Sequence, residues 1–309
     1  MQIYVEQFLF ALAQQNRSVR TVAQYGWHLQ RFAAYCAERG VVSPADVSRS
    51  LLREWGAGLH AGWSPATVKI ATTAVRSFLR WLAEELEEPD RLSSALKPPR
   101  VPQKASRHLS AADVTQLLMA CDGSPRGIRD AALVALLVDS GLRRREVVAL
   151  QANQVDLTNG CVPVVRKGGD TGLGWFGYAT AERLRLWLAV RPQVVRPDVP
   201  ELFVAIGGLH PGCALTPEGL RGVLRHLGER AGVPHLHPHL FRHTMATLRI
   251  EGGDSTRTVQ AVGGWSNLAL VEHYSASVEV HRLARRHAPM DGLDPGMVLQ
   301  LPLPLSPRE

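Results

Sequence analysis

The sequence has no cysteine pair. Its four cysteines, Cys36, Cys121, Cys161 and Cys213, lie far apart and form no CxxC. That argues against a zinc ribbon or a dithiol redox centre and leaves free thiols suited to a reducing compartment. No apolar run approaches the roughly 20 residues that cross a bilayer. The opening residues, MQIYVEQFLFALAQQ, carry neither a basic start nor a small-residue cleavage site. The chain therefore reads as a soluble, cytoplasmic protein. There is no internal repeat of useful length and no basic tail. Lys and Arg number 35 against 28 Asp and Glu in 309 residues, a net charge of +7. The surplus is spread: 12 basic and 9 acidic side chains in residues 1–100, 23 and 19 in residues 101–309. This balance favours a polyanion partner such as nucleic acid, whose binding surface must be assembled by folding.

What is present is mostly helical patterning. Ser18 can cap a helix with Tyr25, Leu29, Phe32 and Cys36 at helical spacing, ended by Gly40. Ser64-Pro65 is a cap followed by proline at the first helical position. The helix it opens has the apolar stripe Val68, Ala71, Val75, Phe78, Leu79 and Leu82. Lys69, Arg76 and Arg80 share another face of that helix, well away from the stripe, and form a ridge that can lie along phosphates. A solvated face is the plainer reading of the ridge alone.

Residues 97–107, KPPRVPQKASR, read as an interdomain linker. Ser110 with Asp113 makes a capping-box variant, and an apolar helix over about 127–139 stops at Gly141. The segments VDL and CVPVV flank Thr158-Asn159-Gly160, a hairpin signature. A glycine-rich turn, Lys167 to Gly172, leads to LGWFGYA, and a short ELFV strand is expected near 202. Thr216-Pro217 opens a further helix. The tail LQLPLPLSPRE reads as mobile.

Three segments carry chemistry: Ser140-Gly-Leu-Arg-Arg-Arg-Glu146, His237-Pro-His-Leu-Phe-Arg-His243, and Gly263-Gly-Trp-Ser-Asn-Leu-Ala-Leu-Val-Glu-His-Tyr274. Taken singly, an arginine triplet reads as a solvated cluster, and Tyr274 or Trp265 as core or surface filler. Together and in this order they resemble the tyrosine recombinase (phage integrase) family. The first matches its TGLR-x-x-E box, the second its H-x-L-R-H box, and the third its LG-(H/W)-x8-Y box, with the step from Trp265 to Tyr274 intact. Ser140 stands for the usual threonine and Trp265 for the common histidine. The turn after Lys167 lacks the basic residue and arginine that members often carry.

The resemblance covers the whole chain and implies a mainly α fold with a small β-sheet or hairpin in the catalytic domain. It further implies a two-domain DNA clamp: a helical core-binding domain over residues 1–95, a linker over 96–108, an integrase-type catalytic domain over 109–290, and a mobile tail over 291–309. The helical pattern begins almost at residue 1, leaving no room for an arm-binding domain. That and the Gly-Gly-Trp box suggest an Xer-like or mobile-element enzyme rather than a standard chromosomal dimer-resolution one.

The resemblance makes Tyr274 the nucleophile, Arg143 and Arg242 the phosphate clamp, and Lys167 the donor of a proton to the leaving 5′ oxygen. His239 and Trp265 would assist at the phosphate. Arginine suits such a clamp because its planar fork donates two hydrogen bonds and stays charged. His239 precedes Arg242 by three residues, so a helix projects both from one face. Glu146 is assigned a structural hydrogen bond, and His243 a supporting one. No cofactor or metal is implied. The expected partners are double-stranded DNA and three further copies in a tetramer on synapsed sites, with a second recombinase as an alternative member. The segment HRLARRH beyond Tyr274 is expected to pack on a neighbouring protomer, and the protein to associate with the nucleoid.

Three other readings compete. His235, His237, His239 and His243 suggest a metal-dependent hydrolase, although no acidic residue accompanies them at ligand spacing. A non-catalytic or partner-dependent DNA-binding protein would share the fold. A type IB topoisomerase would share the chemistry.

Overall fold

The computed structural model describes residues 1–101, 107–166, 169–269 and 271–272. The chain divides into two compact units, residues 1–104 and residues 105–309.

Among its described residues the first unit holds four α-helices: α1 (Gln2–Gln14), α2 (Val19–Ala37), α3 (Arg49–Leu59) and α4 (Pro65–Glu85). Serine hydroxyls start three of them. Ser18, Ser48 and Ser64 accept from the backbone N–H groups of Thr21, Leu51 and Thr67, which satisfies donors that a helix start leaves orphaned. Leu29, Phe32 and Cys36 of α2 are fully buried, as helical spacing predicts. They meet Trp55 of α3 and Phe78 of α4, and Phe32 packs edge-on against Trp55 with ring centroids 5.1 Å apart. Each buried phenylalanine contributes roughly 1.5–3 kcal/mol of transfer free energy.

The buried arc of α4 is wider than the predicted stripe, because Thr72 and Ala74 are also buried. Arg76 sits only roughly 40° round the helix from Thr72. It is half-buried, with its Nε shut off from solvent, whereas Lys69 and Arg80 are exposed. The predicted ridge therefore does not stand wholly clear of the core.

In the second unit, α5 (Ala111–Met119) starts at the predicted capping box of Ser110 and Asp113. Next come α6 (Pro125–Ser140) and the short α7 (Arg144–Val148). Strands β1 (Cys161–Val165) and β2 (Thr171–Trp175) pair antiparallel, from Cys161 opposite Trp175 to Val165 opposite Thr171. Four helices follow: α8 (Tyr178–Val190), α9 (Pro217–Ala231), α10 (Pro238–Gly252) and α11 (Thr256–Gly263). Helix α6 is the central rod; Leu133, Val134, Leu136 and Leu137 are fully buried, and α8 and α10 pack against it.

Two strand expectations fail. VDL forms no strand; its one bridge joins Asp156 to Cys161. The Asp156 carboxylate accepts from the backbone N–H groups of Thr158 and Asn159 and from the Asn159 side chain, closing a local turn. The hairpin is instead made by CVPVV with the segment after the glycine-rich turn. ELFV also forms no ladder, only isolated bridges at Glu201 and Val204. Side chains take the carbonyls a neighbouring strand would use: Trp187 Nε1 donates to Leu202 O and Arg129 Nη1 to Val204 O, at 2.8 and 2.9 Å.

Candidate active site

The first box lies where α6 stops. Gly141 takes the left-handed conformation (φ 58°), and a Cβ there would come within 2.6 Å of Met245 Cε. Only glycine fits both demands. The reversal delivers Arg143 to the N-cap of α7. Its backbone N–H donates to Glu146 Oε2 at 2.7 Å and its Nη1 to Glu146 Oε1 at 2.8 Å. Glu146 is buried while Arg143 is partly exposed, so a covered carboxylate aims an accessible guanidinium. This is the structural role expected of Glu146. The next arginine, Arg144, pairs with Glu218.

The second box opens α10. His237 is the N-cap, its Nδ1 accepting from the Leu240 N–H at 3.1 Å. His239 sits in the first turn and is exposed; Arg242 is buried at 5% exposure. Although its side chain is exposed, desolvation by the groups packed around the ring first, and then the positive charges of Arg242, Arg143 and Arg144, hold the His239 pKa below the ordinary histidine value. The charges of Arg143 and Arg242 thus act on the His239 ring. His237 is lowered as well, by burial and then by His239, Arg107 and Arg221.

The third box follows α11, which ends at Gly264 in the left-handed conformation (φ 61°). A Cβ on Gly263 would fall 1.8 Å from Trp265 Cζ3, so the indole lies directly over bare backbone. Its other neighbour is Arg242, whose Cζ is 3.9 Å from the ring centroid. A cation so placed over a tryptophan gains electrostatic attraction from the ring face.

Arg242 thereby joins all three boxes. Its Nη1 donates to Gly141 O at 2.9 Å and its Nη2 to Gly263 O at 2.5 Å, and it stacks on Trp265. Beside it, Arg143, Arg166, Arg257, Asp170 and Trp265 line an open cavity of about 1040 Å³. Of the predicted residues, Arg143, His239, Arg242 and Trp265 come together here. Lys167 and Tyr274 lie outside the described residues, as does HRLARRH. Lys69, Arg76 and Arg80 belong to the first unit.

The sequence reading passed over Arg166 and Arg257, which no box contains. The third box contains Gly263 but not the reason for it, because the close approach of a ring two residues on leaves no periodic signal. The metal-hydrolase reading loses its geometry. Nδ1 of His237 is engaged as a cap, and among the described residues no three His, Cys, Asp or Glu side chains converge.

Fold and site together define a tyrosine recombinase. Residues 107–281 match the phage integrase family and residues 5–85 the phage integrase N-terminal SAM-like domain, so the chain belongs to that family. Within it the chain is Xer-like, and membership makes it a DNA strand-breaking and rejoining enzyme. It is 32% identical over 281 residues to tyrosine recombinase XerC of Azotobacter vinelandii, covering 89% of this chain and 91% of that one. A second similar protein, XerC of Pseudomonas syringae pv. syringae, is 30% identical over 281 residues, covering 88% and 91%.

Among solved structures, XerH site-specific recombinase bound to palindromic difH aligns at a TM-score of 0.71 and 20% identity, covering 90% of this chain and 82% of that one. The Tn1549 transposon integrase with transposon right-end DNA aligns at 0.69 and 16%, covering 94% and 98%. These two likenesses concern the fold. Among the described residues no helix is long and apolar enough to cross a membrane.

Proposed function

We propose that this protein is a site-specific recombinase that cuts DNA with Tyr274, holds the 3′ end as a phosphotyrosine, and reseals without metal or ATP. The observation that carries this reading is the Arg242 guanidinium, tied to all three boxes and stacked on Trp265, which lines a cavity together with further arginines. A buried, oriented guanidinium is a ready receptor for phosphate oxygens, and donors fixed before the reaction stabilise developing charge without reorganising.

In the proposed cycle the Tyr274 hydroxyl gives its proton to solvent as its oxygen attacks phosphorus and the bond to the 5′ oxygen breaks. Lys167 protonates that oxygen. Arg143, Arg242 and neutral His239 donate to the nonbridging oxygens, and Trp265 supports Arg242 from its face. The phosphotyrosine conserves the bond energy, so a 5′ hydroxyl from the partner strand reverses the step. Strand exchange between two duplexes calls for a tetramer on synapsed sites, with a second recombinase as a possible member. The named relatives and the DNA-bound solved recombinases support this assignment, and with it a place on the nucleoid in the cytoplasm.

The test is adduct formation on nicked duplexes carrying candidate sites, in EDTA and without ATP. Wild-type protein should give a protein–DNA band that survives SDS and disappears on protease digestion; Tyr274→Phe should give none. Binding without a band would transfer the chemistry to a partner protein. Cleavage only with added metal would remove the tyrosine mechanism.

A further inference from the structure

Arg166 directly follows the first strand of the hairpin and lies in none of the three boxes. Its guanidinium is wedged between two glycines. A Cβ on Gly172 would stand 2.7 Å from Arg166 Cζ and Nε, and one on Gly264 would fall 2.2 Å from its Cζ and Nη1. Gly264 has a second reason to be glycine, its left-handed backbone. Gly172 has no such reason: it lies in β2 opposite Val164 and has no positive φ. A glycine inside a strand weakens it, and close approach by another group is a standing cause for one. The two bare backbone surfaces form a slot that fits this guanidinium.

The slot faces the arginine-lined cavity. There, Arg143 is paired with Glu146. Among the described residues the Arg166 side chain has no hydrogen bond and no ion pair; Asp170 lines the same cavity but is not bonded to it through its carboxylate. A guanidinium has five N–H donors, and one positioned in a slot without acceptors leaves that capacity for a ligand. Gly264, against which it packs, sits between Gly263, whose carbonyl accepts from Arg242, and Trp265, on which Arg242 stacks. Arg166 thus borders the same turn as the buried clamp arginine.

We propose that Arg166 is a further catalytic residue, a third guanidinium that donates to the nonbridging oxygens of the phosphodiester held by Arg143 and Arg242. The proposal rests on the reading of this cavity as the cleavage site. It also assigns Gly172 a role: its missing side chain makes room for the fork.

The experiment compares wild type, Arg166→Ala, Arg166→Lys and Gly172→Ala for the single-turnover rate of adduct formation and for duplex affinity. The Arg166 tip is flexible, so the methyl of Gly172→Ala should displace it and leave the hairpin folded, which thermal melting checks. Loss of one preorganised donor costs roughly 10²-fold in rate, and all three variants should approach that loss with affinity changed only about threefold. The same rates are then measured on duplexes with a neutral methylphosphonate at the scissile phosphate or at the next one. The gap between wild type and Arg166→Ala should narrow on the scissile substitution alone. Equal rates for Arg166→Ala and wild type, or narrowing at the neighbouring phosphate only, overturn the proposal. No tyrosine-dependent adduct from wild type itself overturns the cleavage-site reading instead.

Discussion

Two guanidiniums near one turn are held in opposite ways. Arg242 is fastened by two backbone carbonyls and an indole, from two stretches of chain far from its own helix in sequence. Arg166 is held by shape alone, between two glycines, with no acceptor among the described residues. The first is set before DNA arrives; the second acquires its partners from the ligand. A site built this way has a rigid half on α6, α10 and α11 and an open half on the hairpin. Rigid donors lower the barrier because their orientation is already settled.

Arg242→Lys should produce the largest effect on that contrast. A lysine has no planar fork to reach two carbonyls and a phosphate together. Adduct formation should fall roughly 10³-fold, with duplex binding nearly kept. A loss under tenfold would place Arg242 outside the reaction.

Gly263→Ala attacks the same half indirectly. The added methyl would collide with the indole and tip it off Arg242. Losing a desolvated cation–π contact costs about 2 kcal/mol, so the adduct rate should fall roughly 30-fold, with tryptophan fluorescence shifted to the red. Unchanged fluorescence and rate would mean that the ring is not held by that contact.

The histidines at the start of α10 give a smaller, pH-dependent effect. His237 and His239 both have folded pKa values below the ordinary 6.5. On acidification the unfolded chain takes up those protons first. Stability is therefore flat above about pH 6.5 and declines as pH falls from there toward the folded pKa. A phosphate in the cavity offsets the arginine charges, so the His239 titration midpoint should rise when duplex is added. An NMR midpoint unmoved by DNA would separate His239 from the phosphate.

Lys69→Ala should do least. It would lower the salt dependence of duplex binding by roughly one unit of slope and leave the adduct rate at saturating DNA unchanged. No change in slope would remove α4 from the DNA contact.

The site was legible where residue type and backbone conformation coincide. Gly141 ends a helix and Arg143 and Glu146 follow at fixed steps, so spacing alone located them. The caps Ser18, Ser64-Pro65 and Ser110 were readable for the same local reason, whereas the Ser48 cap was not read. The hairpin was misplaced because Thr158-Asn159-Gly160 has turn chemistry whether or not strands flank it, and the Asp156 side chain captured that turn locally. ELFV has strand composition, but its carbonyls are claimed by Trp187 and Arg129 from elsewhere in the chain. Arg76 was misjudged because an apolar stripe read from hydrophobic letters omits a buried threonine. Arg166 and the packing role of Gly263 were not legible because their meaning lies in which backbone or ring they touch.

The fastening of Arg242 has a consequence for the life of the chain in the cell. Its acceptors stand 101 and 21 residues away in sequence. On the proposed mechanism a partly unfolded chain carries the reactive groups yet has no assembled phosphate receptor, because contacts of such separation form only with the folded unit. Nuclease competence and complete folding therefore arrive together, and a chain still leaving the ribosome poses no threat to the chromosome beside it.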